Sequence, residues 1–177
     1  MARILIADDH ALVRAGLHKI LEEGLPPTSG IEEVANGDEL MHALTEHPYD
    51  VVVLDISMPG QSGLHAVPIL LERVPNVRIL MLSVHENLEY TVESLRVGAH
   101  GYLRKDSSPA ELRAAVRSVH RGEAGFPTQV AAQLAKAARS GDPIDAPPAA
   151  VPRAADVLTA RELEVLISIS LVIKIVV

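Results

Sequence analysis

Three carboxylates, a hydroxyl and an ammonium follow short apolar segments of this chain. They belong to Asp8, Asp9, Asp55, Ser83 and Lys105. If those segments are parallel strands of one sheet, the five groups meet at its carboxyl-terminal edge, where open α/β sheets bind ligands. Two carboxylates about 4 Å apart repel by about 4 kcal/mol at an effective dielectric constant near 20, so the cluster requires a cation. Hard oxygen ligands, with no set of His or Cys residues nearby, favour Mg²⁺.

A carboxylate beside Mg²⁺ and a lysine is suited to in-line attack on a phosphoryl group. The metal ion and Lys105 would neutralise the phosphoryl oxygens while Asp55 acts as the nucleophile. Ser83 could then donate a hydrogen bond to a new phosphoryl oxygen. Taken alone, each residue has a purely structural explanation, since an Asp after a strand is often only a helix N-cap. The convergence of several such groups from four strands favours the phosphoryl chemistry.

The elements that must position these groups alternate between strand and helix along residues 1–122. Apolar segments rich in β-branched residues are typical of buried strands, and each is followed by a helical pattern. The predicted strands are 3–7, 31–35, 50–54, 77–82 and 101–104. The predicted helices are 11–21, 39–46, 64–73, one through Leu88, Val92 and Leu95, and one that begins at Ser108. Pro68 removes a backbone hydrogen bond at a cost of about 3 kcal/mol, which predicts a kink or a shortened third helix.

The composition of the 177 residues excludes several classes of protein. The chain is 48% hydrophobic and 22% charged, so it can bury a core. Without cysteine it has no disulfide, thiolate zinc site or cysteine nucleophile. One Phe, three Tyr, no Trp and a net charge of −7 argue against a nucleic-acid-binding surface. No signal-peptide pattern opens the chain and no apolar stretch reaches about 20 residues, so we expect a soluble, cytoplasmic protein without membrane contact.

Four segments, in order, resemble the receiver domain of two-component response regulators of the NarL/FixJ (LuxR-type) subfamily. They read ILIADDHALVRAGL, DVVVLDISMPGQSGL, ILMLSVHE and GAHGYLRKDSSPAEL. The resemblance covers residues 2–122. Five β–α units already imply an α/β fold with helices on both faces of a parallel sheet. The resemblance implies more specifically a doubly wound, flavodoxin-like sheet with strand order 2-1-3-4-5.

The resemblance also implies a role for each residue of the predicted site. Asp55 would be the phosphoacceptor, and Lys105 would contact the phosphoryl group. Ser83 and Tyr102 would rearrange when the protein is phosphorylated, although Tyr102 also fits a half-buried aromatic on an edge strand. The resemblance assigns the Mg²⁺ ion to Asp9 as a direct ligand, Asp8 through water, Asp55, and the backbone carbonyl of Ser57.

The chain changes in character after residue 122. Residues 123–139 predict a short helical extension, and the Pro- and Ala-rich residues 140–156 predict a linker. Within 157–177, LTARELEVL resembles the start of a LuxR-type helix-turn-helix domain. That family continues with Gly-Leu-Ser-Asn-Lys-Glu-Ile-Ala, whereas this chain reads SLVIKIVV. The C-terminal part is therefore predicted to be a helical fragment of an output domain that is truncated, frameshifted or uncertain in residue assignment.

The sequence is compatible with three functions. The first is a phosphorylation-controlled transcriptional regulator with a sensor histidine kinase as partner, a homodimer when phosphorylated, and DNA bound only through a complete output domain. The second is a receiver that acts through protein–protein contacts alone. The third is a phosphohydrolase, because Asp55-Ile56-Ser57 after an apolar strand is similar to the nucleophile motif of the haloacid dehalogenases. That family has a second Asp where this chain has Ser57.

We expect this chain not to recognise a DNA sequence. A helix-turn-helix reads bases with a recognition helix, and three helices with their turns need about 40 residues. Only 20 residues run from Leu158 to Val177, and Arg161 and Lys174 are their only Lys or Arg side chains. Binding is typically supported by about 6–10 phosphate contacts. A mobility-shift assay on random and promoter-like duplexes at about 150 mM salt should show no specific complex. A complex at micromolar concentration or tighter would contradict this expectation.

Overall fold

A five-stranded parallel sheet forms the centre of the structure, which is a computed structural model. The described residues are 2–24, 26, 30–58, 62–84 and 88–126. The strands are β1 (Arg3–Ala7), β2 (Gly30–Val34), β3 (Val51–Asp55), β4 (Arg78–Ser83) and β5 (Gly101–Arg104). Their order is β2-β1-β3-β4-β5, and all neighbours pair in parallel. The predicted doubly wound order 2-1-3-4-5 is confirmed.

Within the described ranges, five helices connect and follow the strands, and local sequence signals define several of their ends. They are α1 (Ala11–Gly24), α2 (Gly37–Glu46), α3 (Gly63–Arg73), α4 (Leu88–Arg96) and α5 (Pro109–His120). At the start of α5, Ser108 and Glu111 form the capping box in which each side chain bonds the other's backbone N–H. None of these described helices is long and apolar enough to cross a membrane.

The helix α3 contains Pro68 without being shortened. Proline has no N–H to donate to the carbonyl of Leu64, so one backbone hydrogen bond is missing from the helix. Leu64, Val67 and Leu70 are nevertheless buried on one face, and Pro68 is exposed. Because burial of that face outweighs one lost hydrogen bond, the helix runs from Gly63 to Arg73 and is not shortened, while the alternative of a kink stays a prediction.

The core fills both faces of the sheet, which is why the strands read as continuous apolar segments. All five residues of β3 are buried. On one face, side chains of β1, β3 and β4 pack against α1 and α5, and this cluster contains Ile4, Ile6, Val51, Val53, Leu80, Leu82, Leu17, Leu21, Leu112, Val116 and Val119. Alternate residues of the same strands point to the opposite face and are also buried: Leu5, Val52, Leu54, Ile79 and Met81. The strand ends that carry the site are thereby held in register.

The chain returns to the sheet after α5. The Tyr102 N–H donates to the Gly125 carbonyl at 3.0 Å, and the Gly125 N–H donates to the His100 carbonyl at 2.9 Å. A Cβ on Gly125 would lie 2.9 Å from Val119 Cγ2, so a side chain there would require a shift. Residue 125 thus forms a parallel bridge with Gly101 beside β5. The predicted helical extension beyond residue 126, the linker 140–156 and the fragment 157–177 lie outside the described residues.

A tyrosine–glutamate–arginine cluster joins β1 and β2 to the segment before β3 at the amino-terminal edge of the sheet. The Tyr49 hydroxyl donates to Glu32 Oε2 at 2.7 Å, and the Arg3 guanidinium donates to Glu32 Oε1 at 2.8 Å. Arg3 Cζ also lies 5.2 Å from the centroid of the Tyr49 ring. Burial, followed by the bond to Glu32, raises the pKa of Tyr49 to about 12. The cluster therefore stabilises the fold with Tyr49 neutral.

We expect the free energy of unfolding to fall at alkaline pH, and we expect part of this fall to come from ionisation of Tyr49. Because the pKa of Tyr49 is about 12 in the folded protein against 10.0 ordinarily, its contribution is complete below pH 10. That contribution is lost as pH rises toward the folded value, since the unfolded chain releases the proton first. Tyr49→Phe should cost about 1–2 kcal/mol of unfolding free energy at neutral pH and make the alkaline loss shallower. Urea unfolding of both proteins between about pH 8 and about pH 12 tests this, and parallel pH profiles would contradict it.

Candidate functional site

The site lies where four strands end at the carboxyl-terminal edge of the sheet. Asp8 directly follows β1, and Asp55 is the last residue of β3. Ser83 is the last residue of β4, and Lys105 directly follows β5. The register aligns these ends, because Asp55 pairs with Leu82 and Ser83 pairs with Arg104. The structure therefore brings together the groups that the strand pattern predicted to converge.

Asp8, Asp9 and Asp55 form an acidic cluster in which His10 also takes part. One ligand atom from each of the four residues lies within 4.8 Å of the others. Asp8 and Asp55 are almost fully buried, whereas the Asp9 side chain is 25% exposed. The His10 Nδ1 atom lies 2.8 Å from Asp9 Oδ1. Sequence reasoning set His10 aside because the histidines form no ligand set, although its position next to the acidic pair was a usable signal.

Lys105 bridges the two buried carboxylates. Its Nζ atom lies 2.6 Å from Asp8 Oδ2 and 2.7 Å from Asp55 Oδ2, and its side chain is 11% exposed. Burial alone lowers the pKa of Lys105, but the contacts with Asp55 and Asp8 outweigh it and hold that pKa above its ordinary value. The ammonium is therefore charged at neutral pH and offsets part of the negative charge of the cluster.

The acidic cluster has oxygen atoms available for a divalent cation. Among the described residues, the close polar contacts of three buried carboxylate oxygens, Asp8 Oδ2, Asp9 Oδ1 and Asp55 Oδ2, are with the side chains of Lys105 and His10. The three carboxylates outnumber the one ammonium and one imidazole that contact them, and Mg²⁺ prefers oxygen ligands of this kind. The donor set thus fits the predicted metal.

The turn that carries Asp8 and Asp9 is anchored on several sides. The Asp8 N–H donates to the Val34 carbonyl at 3.2 Å, and Asp8 Oδ1 accepts from the His10 N–H at 2.8 Å. The Arg14 Nη1 atom donates to the Asp8 carbonyl at 2.6 Å. Sequence reasoning missed Arg14, because a single cation on a predicted helix has no pattern that ties it to a backbone carbonyl.

The turn after β3 holds Asp55 from the other side. The Ser57 N–H donates to Asp55 Oδ1 at 3.1 Å, and Ser57 itself is exposed. The Gly63 N–H donates to the Ile56 carbonyl at 2.9 Å. A Cβ on Gly63 would lie 2.2 Å from the Asp55 carbonyl oxygen, so the start of α3 can approach this strand end only with glycine. Gly63 was not among the predicted site residues.

Ser83 and Tyr102 lie on neighbouring strands below the acidic cluster. Ser83 is fully buried, and its carbonyl accepts from the Lys105 N–H at 2.8 Å. Tyr102 is only 3% exposed. Its ring is therefore already inside the protein, not half-buried at the edge, and a rearrangement on phosphorylation would start from this buried position.

Comparisons with known proteins identify the family of this chain. The response regulator receiver domain family matches residues 4–117. The response regulator UvrY of Escherichia coli is 32% identical over 170 residues, which cover 96% of this chain and 74% of UvrY. The oxygen regulatory protein NreC of Staphylococcus carnosus is 39% identical over 122 residues, which cover 68% of this chain and 56% of NreC.

A solved structure of a similar protein has the same fold. The crystal structure of a LuxR-family two-component response regulator from an Aurantimonas species has a TM-score of 0.69 and 29% identity, and the match covers 78% of this chain and 99% of that one. The family match extends over more than half of this chain, from β1 into α5. The chain therefore belongs to the response regulator receiver domain family and is a two-component response regulator of the NarL/FixJ (LuxR-type) kind.

Proposed function

We propose that this protein accepts a phosphoryl group on Asp55 in the presence of Mg²⁺ and thereby regulates transcription through a C-terminal output domain. One observation carries the proposal: a buried nucleophilic carboxylate lies 2.7 Å from a charged lysine and within 4.8 Å of two further aspartates. Phosphoryl transfer depends on positioning and charge neutralisation, and the described residues supply both. The sensor histidine kinase remains the proposed phosphodonor, and DNA the target of a complete output domain.

Asp55 and Lys105 have separate tasks in the proposed reaction. One carboxylate oxygen of Asp55 forms the new bond to phosphorus while the bond to the donor breaks. Lys105 binds an oxygen of the arriving phosphoryl group, and its raised pKa keeps the ammonium charged for this purpose. The Ser57 N–H, 3.1 Å from Asp55 Oδ1, fixes the orientation of the carboxylate. These contacts place the nucleophile before any donor arrives.

The acidic residues around Asp55 are the proposed metal site. When bound there, Mg²⁺ supplies positive charge that stabilises the phosphoryl oxygens. Asp8, Asp9, Asp55 and the backbone carbonyl of Ser57 are the groups that we propose to hold it. The convergence of three carboxylates within 4.8 Å of one another supports this assignment.

Ser83 and Tyr102 are the proposed route from the site to the signalling surface. The Ser83 hydroxyl would donate to a phosphoryl oxygen on Asp55, because Ser83 lies at the end of the strand next to β3. Tyr102 lies on the following strand, where it pairs with Met81. A shift at Ser83 would then change the face built from α4, β5 and α5 and favour a homodimer.

The two alternatives differ in their support. The family match favours a receiver over a haloacid-dehalogenase-like phosphohydrolase, and Ser57 offers no carboxylate as the general acid that such an enzyme requires. A receiver that acts through protein contacts alone has the same phosphorylation site. It would differ only in that the complete protein, phosphorylated, binds no DNA.

Acetyl phosphate with Mg²⁺ should add one phosphoryl group to the protein, and Asp55→Asn should abolish this. The amide is nearly the same size as the carboxylate, so the fold should persist while the nucleophile is lost. Asp38→Asn, which changes an exposed carboxylate in the first turn of α2, is the matched control and should be labelled normally. Asp9→Ala should weaken Mg²⁺ binding by removing a charged oxygen ligand. Intact mass measures the labelling, and a phosphoryl group elsewhere in Asp55→Asn would refute the assignment.

Phosphorylation should increase self-association. It adds about −1.5 to −2 charges at the carboxyl-terminal edge of the sheet, and the side chains of Lys105 and Ser83 can move toward this charge. Sedimentation of the full chain with and without beryllofluoride, a phosphoryl mimic, should give a larger association constant with the mimic. Asp55→Asn should not respond. The same association constant in both conditions would show that the site is not coupled to a dimer surface.

A further inference from the structure

The peptide group between Asp8 and Asp9 is held by an arginine side chain. Arg14 lies in the first turn of α1, and its Nη1 atom donates to the Asp8 carbonyl at 2.6 Å. The strand β1 ends at Ala7, so this carbonyl lies beyond the strand and needs a partner from elsewhere. Because a peptide group is planar, the direction of the Asp8 carbonyl also fixes the direction of the Asp9 N–H. Arg14 therefore restrains the backbone from which both carboxylates project.

Arg14 is itself fixed by an acidic residue of β2. Its Nε atom lies 3.6 Å from Glu33 Oε2, and its side chain is 16% exposed. The other Glu33 oxygen lies 2.6 Å from the Nδ1 atom of His18, one turn further along α1. Glu33 is thus held by two side chains of α1, and it keeps the guanidinium directed at the end of β1. The contacts form a continuous chain from His18 through Glu33 and Arg14 to Asp8.

Geometry, more than charge, distinguishes the contribution of Arg14. The guanidinium contacts the Asp8 carbonyl, and Glu33 offsets part of the guanidinium charge. The Asp8 carboxylate is bonded separately by the His10 N–H and by Lys105. The peptide between the two aspartates lies inside the turn that the His10 N–H closes, and Arg14 binds the carbonyl of that peptide directly.

We propose that Arg14, held by Glu33, is a positioning residue for the metal site, which sets the affinity for Mg²⁺ without contacting the ion. The inference rests on the proposed function, since it concerns the same acidic cluster. Residues that orient metal ligands typically change metal affinity by about 10–100-fold when they are replaced. A lysine at this position would keep the charge but lose the planar fork that spans the Asp8 carbonyl and Glu33.

Titration of the full chain with Mg²⁺ alone, by calorimetry without a phosphodonor, tests the inference. Arg14→Met should raise the Mg²⁺ dissociation constant about tenfold, and Arg14→Lys and Glu33→Gln should raise it by smaller factors. The matched control is Arg3→Met, which removes another arginine–glutamate bridge to β2, Arg3 of β1 to Glu32 at 2.8 Å, at the opposite edge of the sheet. It should lower the melting temperature and leave the Mg²⁺ dissociation constant unchanged.

A kinetic readout separates positioning from general destabilisation. In Arg14→Met, the Mg²⁺ concentration that gives half-maximal labelling by acetyl phosphate should rise, while the rate at saturating Mg²⁺ stays within about twofold of the wild type. If Arg14→Met does not fold, Arg14→Lys and Glu33→Gln carry the same comparison. Unchanged Mg²⁺ affinity in folded Arg14 variants would overturn the inference and leave the assignment of Asp55 intact. Failure of the wild-type protein to bind Mg²⁺ would instead refute the proposed metal site, and the inference with it.

Discussion

The Lys105 ammonium between the Asp8 and Asp55 carboxylates is the interaction on which the site depends. Two buried negative charges at the ends of adjacent strands repel each other, and a cation between them is the condition for keeping both. Strand order makes this demanding, because β4 separates β3 from β5. Two strand spacings are about 9–10 Å, so the bridging side chain has to be long. The lysine side chain is long enough, and the core that holds the strands in register fixes the distance that it has to span.

Several residues around this bridge act through the backbone. The Ser57 N–H orients the Asp55 carboxylate, and Arg14 binds the Asp8 carbonyl. Gly63 allows the start of α3 to approach the end of β3, where a Cβ would collide with the Asp55 carbonyl. The charged side chains are therefore placed by strand ends and turns whose own conformations are restrained.

Much of the fold and the centre of the site could be predicted because they leave periodic or positional signals. Apolar segments predicted all five strands within two residues, and the residues that follow them predicted the meeting of Asp55 and Lys105. Arg14 and Gly63 were missed because a side chain that binds a distant carbonyl, or a glycine required by close approach, has no repeat in the sequence. The burial of Tyr102 was also not predictable, since a position on an edge strand does not determine how much of a side chain is covered.

The return of the chain to β5 has a consequence for how copies of this protein can associate. An open sheet has two edges at which a foreign strand can add, and natural proteins protect them. At one edge, β2 carries the exposed charges of Glu32 and Glu33. At the other, Gly125 already occupies the hydrogen-bonding groups of His100 and Tyr102 at the start of β5. A second chain would have to displace this segment before it could pair with the start of β5.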